Sequence, residues 1–288
     1  MAAISYTLER DNIITFLDKY DNEKNLTEKQ KLFLENNITK QELCFAVQNL
    51  KNNKSPGLDG LTPEFYKKFW KILEDFFFSA TQEIFQEGQL TESMKKSILS
   101  LLFKNGKKNK RELLEHYRPL TLSNYDYKII AFSIANRLKK VLPSLINKDQ
   151  SAYIDKRYIG NNARFLIDLI EYADENQIGG LLICVDFRKA FDSLNWNFMI
   201  EVLKKLNFGP SFINMIKTLY ANPTIQIKNN GHFSKEIKIE KGVKQGCPVS
   251  AMIFTLCVEY LTKAINKNKD IEGIEINKEK TQNNSTCR

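Results

Sequence analysis

The chain has 288 residues, 42% of them hydrophobic and 27% charged, which excludes a disordered or low-complexity chain and is enough for one large or two ordinary domains with a real core. Lysine and arginine outnumber aspartate and glutamate by 43 to 34, a net charge of +9, a mildly basic balance that is compatible with an anionic partner such as nucleic acid and does not by itself establish one. No stretch has the continuous apolar length of a membrane span, and the start, MAAISYTLERDN, lacks the basic-then-apolar layout of a signal peptide. The expected setting is intracellular, nuclear or cytoplasmic. The cysteines at 44, 184, 247, 257 and 287 are odd in number and lack CxxC spacing, so they read as reduced, with Cys184 and Cys257 in apolar runs and expected in the core.

Residues 1–38 carry two short, highly charged helical patterns without chemistry of their own and read as an N-terminal helical extension. Thr39 with Glu42 forms a capping box that opens a helix through about Leu50. Ser55-Pro-Gly-Leu-Asp-Gly60 is a tight polar turn, either an ordinary interhelical connection or a loop that brings backbone close to a partner. Thr62 and Pro63 then start a helix that Gly88 stops, with Phe65, Phe69, Ile72, Leu73, Phe76, Phe77, Ala80 and Ile84 expected on its core face. Ser97 to Phe103 and Tyr117 to Leu122 read as paired strands. Between them lies Lys104-Asn-Gly-Lys-Lys-Asn-Lys-Arg111, with five basic residues and no acid. That tip is either a solvated loop or, with Arg118, a phosphate clamp.

Asn124 caps a helix expected to end at Leu142, before Pro143, with Lys128, Arg137, Lys139 and Lys140 along it. The connector Gln150 to Asn162 mixes aromatic and basic residues, including Lys156 and Arg157, in a pattern that suits a nucleic-acid track or a plain loop. It leads into a helix around Phe165 to Tyr172.

Leu181 to Val185 is an unbroken apolar run after Gly179-Gly180 and is expected to be a strand buried on both faces, delivering Asp186 at its end. Phe191 and Asp192 follow on the turn, and Asn195 opens the next helix. A carboxylate and a flat ring so placed suit Mg²⁺ under a phosphate beside a nucleotide wall, although an acid at a strand end, taken alone, is more often a turn cap. Gly209-Pro210 begins another helix. Thr224–Lys228 and Lys235–Glu240 alternate around Asn229-Asn230-Gly231 as an antiparallel hairpin. Lys241-Gly-Val-Lys-Gln-Gly-Cys-Pro-Val-Ser250 then forms a glycine-hinged turn into a helix from Ala251 to about Asn266, and Ile271 to Ile276 is a last short strand.

SPGLDG, the basic hairpin with YRPL, VDFRKAFD and KQGCPVS, in this order and spacing, resemble the reverse transcriptase domain of non-LTR retrotransposons of the long interspersed element type, from Thr39 to Ile276. The resemblance implies an α+β, right-hand polymerase fold, helix-rich, with fingers (39–178) and a partial palm (179–288) built on an antiparallel palm sheet in which 181–186 lies beside 271–276. It implies an RNA-directed DNA polymerase that uses RNA template, DNA primer, deoxynucleoside triphosphates and two Mg²⁺ ions.

By the same resemblance, Asp186 is the catalytic, metal-binding carboxylate, and the Phe187 carbonyl is a second metal ligand. Lys104, Arg118, Phe187, Phe191, Gln245 and Gly246 contact the nucleotide. Lys107, Lys108, Lys110, Arg111, Lys156, Arg157 and Ser250 contact nucleic acid. Phe191 is the steric gate against ribonucleotides, which argues against an RNA-dependent RNA polymerase, and Asp192 is structural.

Two departures stand out. Ala251 replaces the family's proline after Ser250. The aromatic-Ala-Asp-Asp motif expected beyond GIEI is absent, no Asp-Asp pair occurs in the sequence, and Asp270 is the only aspartate after Asp192. The chain is therefore expected to be truncated before that motif, unable to hold both ions, and inactive by itself. The alternative is a non-catalytic nucleic-acid-binding remnant.

Overall fold

The computed structural model describes residues 10–20, 24–104, 113–187, 189–276 and 279–281. Two capped helices open the fold after α1 (Arg10–Lys19). In α2 (Glu28–Glu35) and α3 (Lys40–Gln48) a threonine accepts from the third helical N–H while the side chain at that position reaches back to the threonine N–H, Thr27 with Gln30 and Thr39 with Glu42. Each box ties up amide protons that a helix start otherwise leaves unpaired. The N-terminal segment is built into the core: Ile13, Leu17, Leu26, Leu34 and Ile38 are all buried with it.

Helix α4 (Pro63–Glu87) starts on Pro63 and ends at left-handed Gly88, as its punctuation predicts. Its expected core face is corrected. The buried side chains include Tyr66, Trp70, Thr81 and Ile84, with Phe65, Leu73 and Phe77 packed against the core, while Phe69, Ile72 and Phe76 are exposed, the last at 76%. The true stripe runs 66, 70, 77, 81, 84, beside the one expected, because Tyr66 and Trp70 present large apolar bodies and outcompete their Phe neighbours for the interior.

A short turn, α5 (Glu92–Lys95), leads into β1 (Lys96–Phe103) and β2 (Tyr117–Ser123), which pair antiparallel from Ser97↔Ser123 to Phe103↔Tyr117. Helix α6 (Tyr125–Leu145) runs through the core. It carries Pro143 inside its last turn rather than ending before it; a proline forfeits one helical bond, and two residues from the helix end little helix remains beyond it to be displaced. Asn124 stands at its start but does not cap it. The amide of Asn124 donates to Ser93 Oγ (2.9 Å) and accepts from Asp59 N–H (3.5 Å), so the 55–60 loop lies against the α6 start, with Gly57 too close to Asn124 to admit a side chain.

Helix α7 (Ile159–Glu175) has no fully buried residue. A single turn, α8 (Ala190–Ser193), precedes α9 (Trp196–Lys205) and α10 (Pro210–Leu219). The carboxylate of Glu35, on α2, accepts from the Ser211 and Phe212 N–H groups at 3.2 and 2.9 Å, closing the α10 start.

The strands β3 (Thr224–Asn229), β4 (His232–Phe233) and β5 (Ile237–Lys238) form the expected hairpin, turning at Asn230 and Gly231 with φ of 48° and 82°. The strand β3 joins β1 in parallel, Lys96↔Thr224 to Ser100↔Lys228, giving a mixed sheet ordered β2-β1-β3-β4 with β5 also on β3. The expectation of an antiparallel sheet is corrected on this point: β1 and β3 are separated by helices long enough to return the chain in the same direction. Helix α11 (Ser250–Asn266) is largely buried, and β6 (Ile274–Ile276) pairs with β7 (Glu279–Thr281). No helix among the described residues is long and apolar enough to cross a membrane.

Candidate nucleotide and nucleic-acid site

The stretch carrying Asp186 is the main correction. Residues 181–187 form no strand and lie exposed, Leu181 at 93% and Val185 at 72%. A strand buried on both faces needs neighbours on both edges to take up its N–H and C=O groups. The expected neighbour, β6, pairs with β7 instead. The Ile274 side chain comes only as near as 3.7 Å to where a Cβ on Gly180 would stand. Val185 and Ile274 therefore do not share a sheet, and Cys184, expected in the core, is exposed while Cys247 and Cys257 are buried.

Beyond Asp186 the chain is tightly organised. Val243 N–H donates to the Phe191 carbonyl and Gly242 N–H to the Leu194 carbonyl, both at 2.7 Å, and the Trp196 indole donates to the Gly242 carbonyl at 2.7 Å. Two motifs fifty residues apart are thus fastened backbone to backbone. Phe191 is half-buried with its ring 5.1 Å from Phe254, and Phe187 meets the same ring at 6.3 Å.

Gly242 has φ +86°, and a Cβ there would lie 2.9 Å from Asp192 Cα, the Asp192 carbonyl and the Phe191 carbonyl. All three contacts are backbone atoms that cannot swing aside. Gly242→Ala should therefore lose roughly 3 kcal/mol of stability, whereas Gly231→Ala, at a similar φ of +82° but with open space around it, should lose about 1 to 2 kcal/mol. Urea unfolding of both variants measures the difference; equal losses would mean that the close approach carries no energy.

This clasp and the sheet border an open cleft of about 830 Å³, whose walls include Leu99, Thr121, Asp192, Trp196, Lys244 and Gln245. Of the nucleotide residues expected, Gln245 lines it, and Gly246 (φ +92°) stands beside the Thr121 carbonyl, 3.3 Å from where its Cβ would be. Asp186, Phe187 and Phe191 do not line it. Lys104 and Arg118 do not either, for a geometric reason. Ser97, Leu99, Pro119 and Thr121 line the cavity, and along a strand alternate residues face opposite sides, so the ladder Leu102↔Arg118, continued by Lys104 N–H to the His116 carbonyl at 2.9 Å, puts Lys104 and Arg118 on the other face. Arg118 is exposed there.

Lys107, Lys108, Lys110 and Arg111 lie outside the described residues. Lys156 is exposed at φ +63°. The Arg157 guanidinium donates to the carbonyls of Gln150 (2.7 Å), Pro143 and Ile146 (both 3.3 Å) and Asn147, closing the end of α6. Ser250 is buried with its hydroxyl 3.1 Å from that of Tyr220, because it begins a helix that enters the core. Asp192, expected to be structural, is exposed, and among the described residues no hydrogen bond or ion pair holds its carboxylate; it is its main chain that packs on Gly242.

Sequence reasoning passed over Lys244 and Thr224. Lys244 sits within KQGCPVS and shows nothing special until its surroundings are known. Burial pushes its pKa down to about 8, with the Cys247 thiol acting the other way. By the 55–60 loop, burial raises Asp126 to about 6; the Tyr127 N–H opposes this and Asp59 adds to it. The two-ion Mg²⁺ site is not matched: no group of three or more His, Cys, Asp or Glu side chains converges among the described residues.

Residues 105–286 match the family model described as "Reverse transcriptase (RNA-dependent DNA polymerase)". The chain is 37% identical over 234 residues, 81% of its length, to the transposon TX1 uncharacterized 149 kDa protein of Xenopus laevis. It is 23% identical over 79% of its length to the retrovirus-related Pol polyprotein from type-2 retrotransposable element R2DM of Drosophila melanogaster, and 24% identical over 82% to that of a type-1 retrotransposable element R2 of Popillia japonica. It spans 18%, 21% and 32% of these relatives. With the family model covering well over half of its residues, the chain belongs to the reverse transcriptase family, as a domain of the non-LTR retrotransposon type.

Proposed function

We propose that these residues are the template- and nucleotide-holding part of an RNA-directed DNA polymerase acting inside the cell, nuclear or cytoplasmic, and that alone they do not catalyse. RNA template, DNA primer and deoxynucleoside triphosphates are the ligands of this reading. Residues 39–178 serve as fingers and 179–288 as a partial palm, with 1–38 a helical extension. The observation that carries it is the isolation of Asp186, which ends an exposed, unpaired segment with no cluster of metal-ligating side chains around it among the described residues. Asp186 and the Phe187 carbonyl are the groups that would meet a divalent ion. Phe191, held against Phe254, is suited to act as the gate against a 2′ hydroxyl.

Binding is separable from catalysis and tests the holding function directly. Residues 1–288 should bind single-stranded RNA or an RNA–DNA duplex with strong salt dependence. Replacing the five basic residues of 104–111 with serine should flatten the slope of log affinity against log salt by several units. A slope that stays put assigns those residues to a solvated loop.

A further inference from the structure

We propose that the cavity between the sheet and the 189–197 turn is a phosphate subsite anchored by Lys244, distinct from the Lys104 and Arg118 pair on the opposite face of the sheet. This rests on the nucleic-acid-holding reading above and adds to it a site and a ligand group.

Two polar atoms belonging to cavity-lining residues are buried without a hydrogen-bond partner among the described residues, Lys244 Nζ and Thr224 Oγ1. Buried donors are almost always paired, and an amine left without an acceptor is the more costly of the two. Lys244 Nζ has only the Tyr127 ring beneath it, 4.1 Å from the centroid, a partial compensation. Among the described residues no hydrogen-bond acceptor meets it, and an incoming anion can.

The main chain on either side is fixed, Val243 by the Phe191 carbonyl at 2.7 Å and the Lys244 carbonyl by Cys247 N–H at 3.1 Å. The flexible lysine stem is what remains free to turn Nζ from the Tyr127 ring to the cavity. The walls add Lys189, Lys238 and Lys241 against Asp192 and Glu240, so the field inside favours an anion. An ammonium and a hydroxyl as donors, in a cationic cleft of about 830 Å³, fit a phosphate oxyanion. It comes either from the backbone of an RNA strand or from a nucleoside triphosphate. A lysine stored in this way binds phosphate as a point charge and tolerates any base sequence.

The test compares Lys244→Met, which keeps the stem and removes the charge, with Thr224→Val and with Lys71→Met on the exposed side of α4. Fluorescence anisotropy of a labelled single-stranded RNA is measured over a salt series, dATP binding by calorimetry, and thermal unfolding in parallel. If the phosphate is that of RNA, Lys244→Met weakens RNA binding about tenfold and lowers the salt slope by about one, leaving dATP binding alone. If it is that of the nucleotide, dATP binding falls about tenfold and the RNA slope stays.

In either case Thr224→Val weakens the same ligand by about threefold, Lys71→Met changes neither, and Lys244→Met melts no lower than the parent because it removes a buried unpaired amine. Should Lys244→Met fail to fold, Thr224→Val alone decides. Unchanged binding of both ligands in the folded variants overturns the subsite, while a parent chain that binds neither RNA nor dATP overturns the holding function itself.

Discussion

Purified residues 1–288, given a primed RNA template, deoxynucleotides and Mg²⁺, are expected to leave the primer unextended. Phosphoryl transfer of this kind relies on two ions about 3.5 to 4 Å apart, whose mutual repulsion only several carboxylates can offset. Among the described residues Asp186 has no such company. Supplying the aromatic-Ala-Asp-Asp hairpin, with the chain that follows it, from a related reverse transcriptase should give synthesis. In that chimera Asp186→Asn should remove on the order of 10³-fold of the rate, about 4 kcal/mol of barrier.

Asp192→Asn should cost far less, since its exposed carboxylate holds no hydrogen bond among the described residues. Phe191→Ala should raise ribonucleotide incorporation by taking away the ring that Phe254 holds in place. Primer extension with each nucleotide reads all of these. Vigorous synthesis by the unmodified chain, or an active chimera indifferent to Asp186→Asn, would refute the proposed division between holding and catalysis.

Arg137→Met should destabilise the fold by about 3 to 5 kcal/mol. Its guanidinium is buried and grips Glu42 through two parallel bonds, Nε to Oε1 at 2.5 Å and Nη2 to Oε2 at 2.6 Å. It also donates to the carbonyls of Asn37 (2.7 Å), Leu34 (3.4 Å) and Asn36 at the end of α2. One cation thus joins the end of α2, the start of α3 and the middle of α6, and removing it leaves a part-buried carboxylate and three carbonyls short of donors. The double variant Arg137→Met/Glu42→Gln should recover part of the loss, because no charge is then stranded.

Burial acts to raise the Glu42 pKa, but the bonds from Arg137 and from the Thr39 N–H outweigh it and hold the carboxyl below its ordinary value. A depressed carboxyl stabilises the fold above its unfolded-state pKa, near 4.5, and that contribution is lost as pH falls through the lower folded value. Urea unfolding at pH 7 and at acid pH should show the difference between parent and double variant shrinking in acid; a pH-independent difference would separate the pair from acid stability.

The elements legible in the sequence are those specified by a few neighbouring residues. Thr39 with Glu42, Pro63 with Gly88, Asn195, and Gly209 with Pro210 mark their helix ends where the structure has them, because a cap acts within one turn. Asn230-Gly231 likewise defines the hairpin. The order of SPGLDG, YRPL, VDFRKAFD and KQGCPVS was enough to point to the family.

What the tertiary structure decided depends on partners far along the chain. Whether Leu181–Val185 becomes a strand rests on what lies beside it, not on its own apolar run. Which stripe of α4 is buried rests on Tyr66 and Trp70 meeting the core. Arg137 and Arg157 look like surface cations on a basic chain, yet folding brings Arg137 a carboxylate and carbonyls and Arg157 the carbonyls at the end of α6. Lys104 and Gln245, expected at one nucleotide site, lie on different sides of a sheet, and Lys244 acquires its meaning only from the Tyr127 ring beneath it and the cavity beside it. Local propensity acts over three or four residues, whereas burial, strand pairing and the charge state of an enclosed group are set by side chains that the sequence keeps a hundred residues apart.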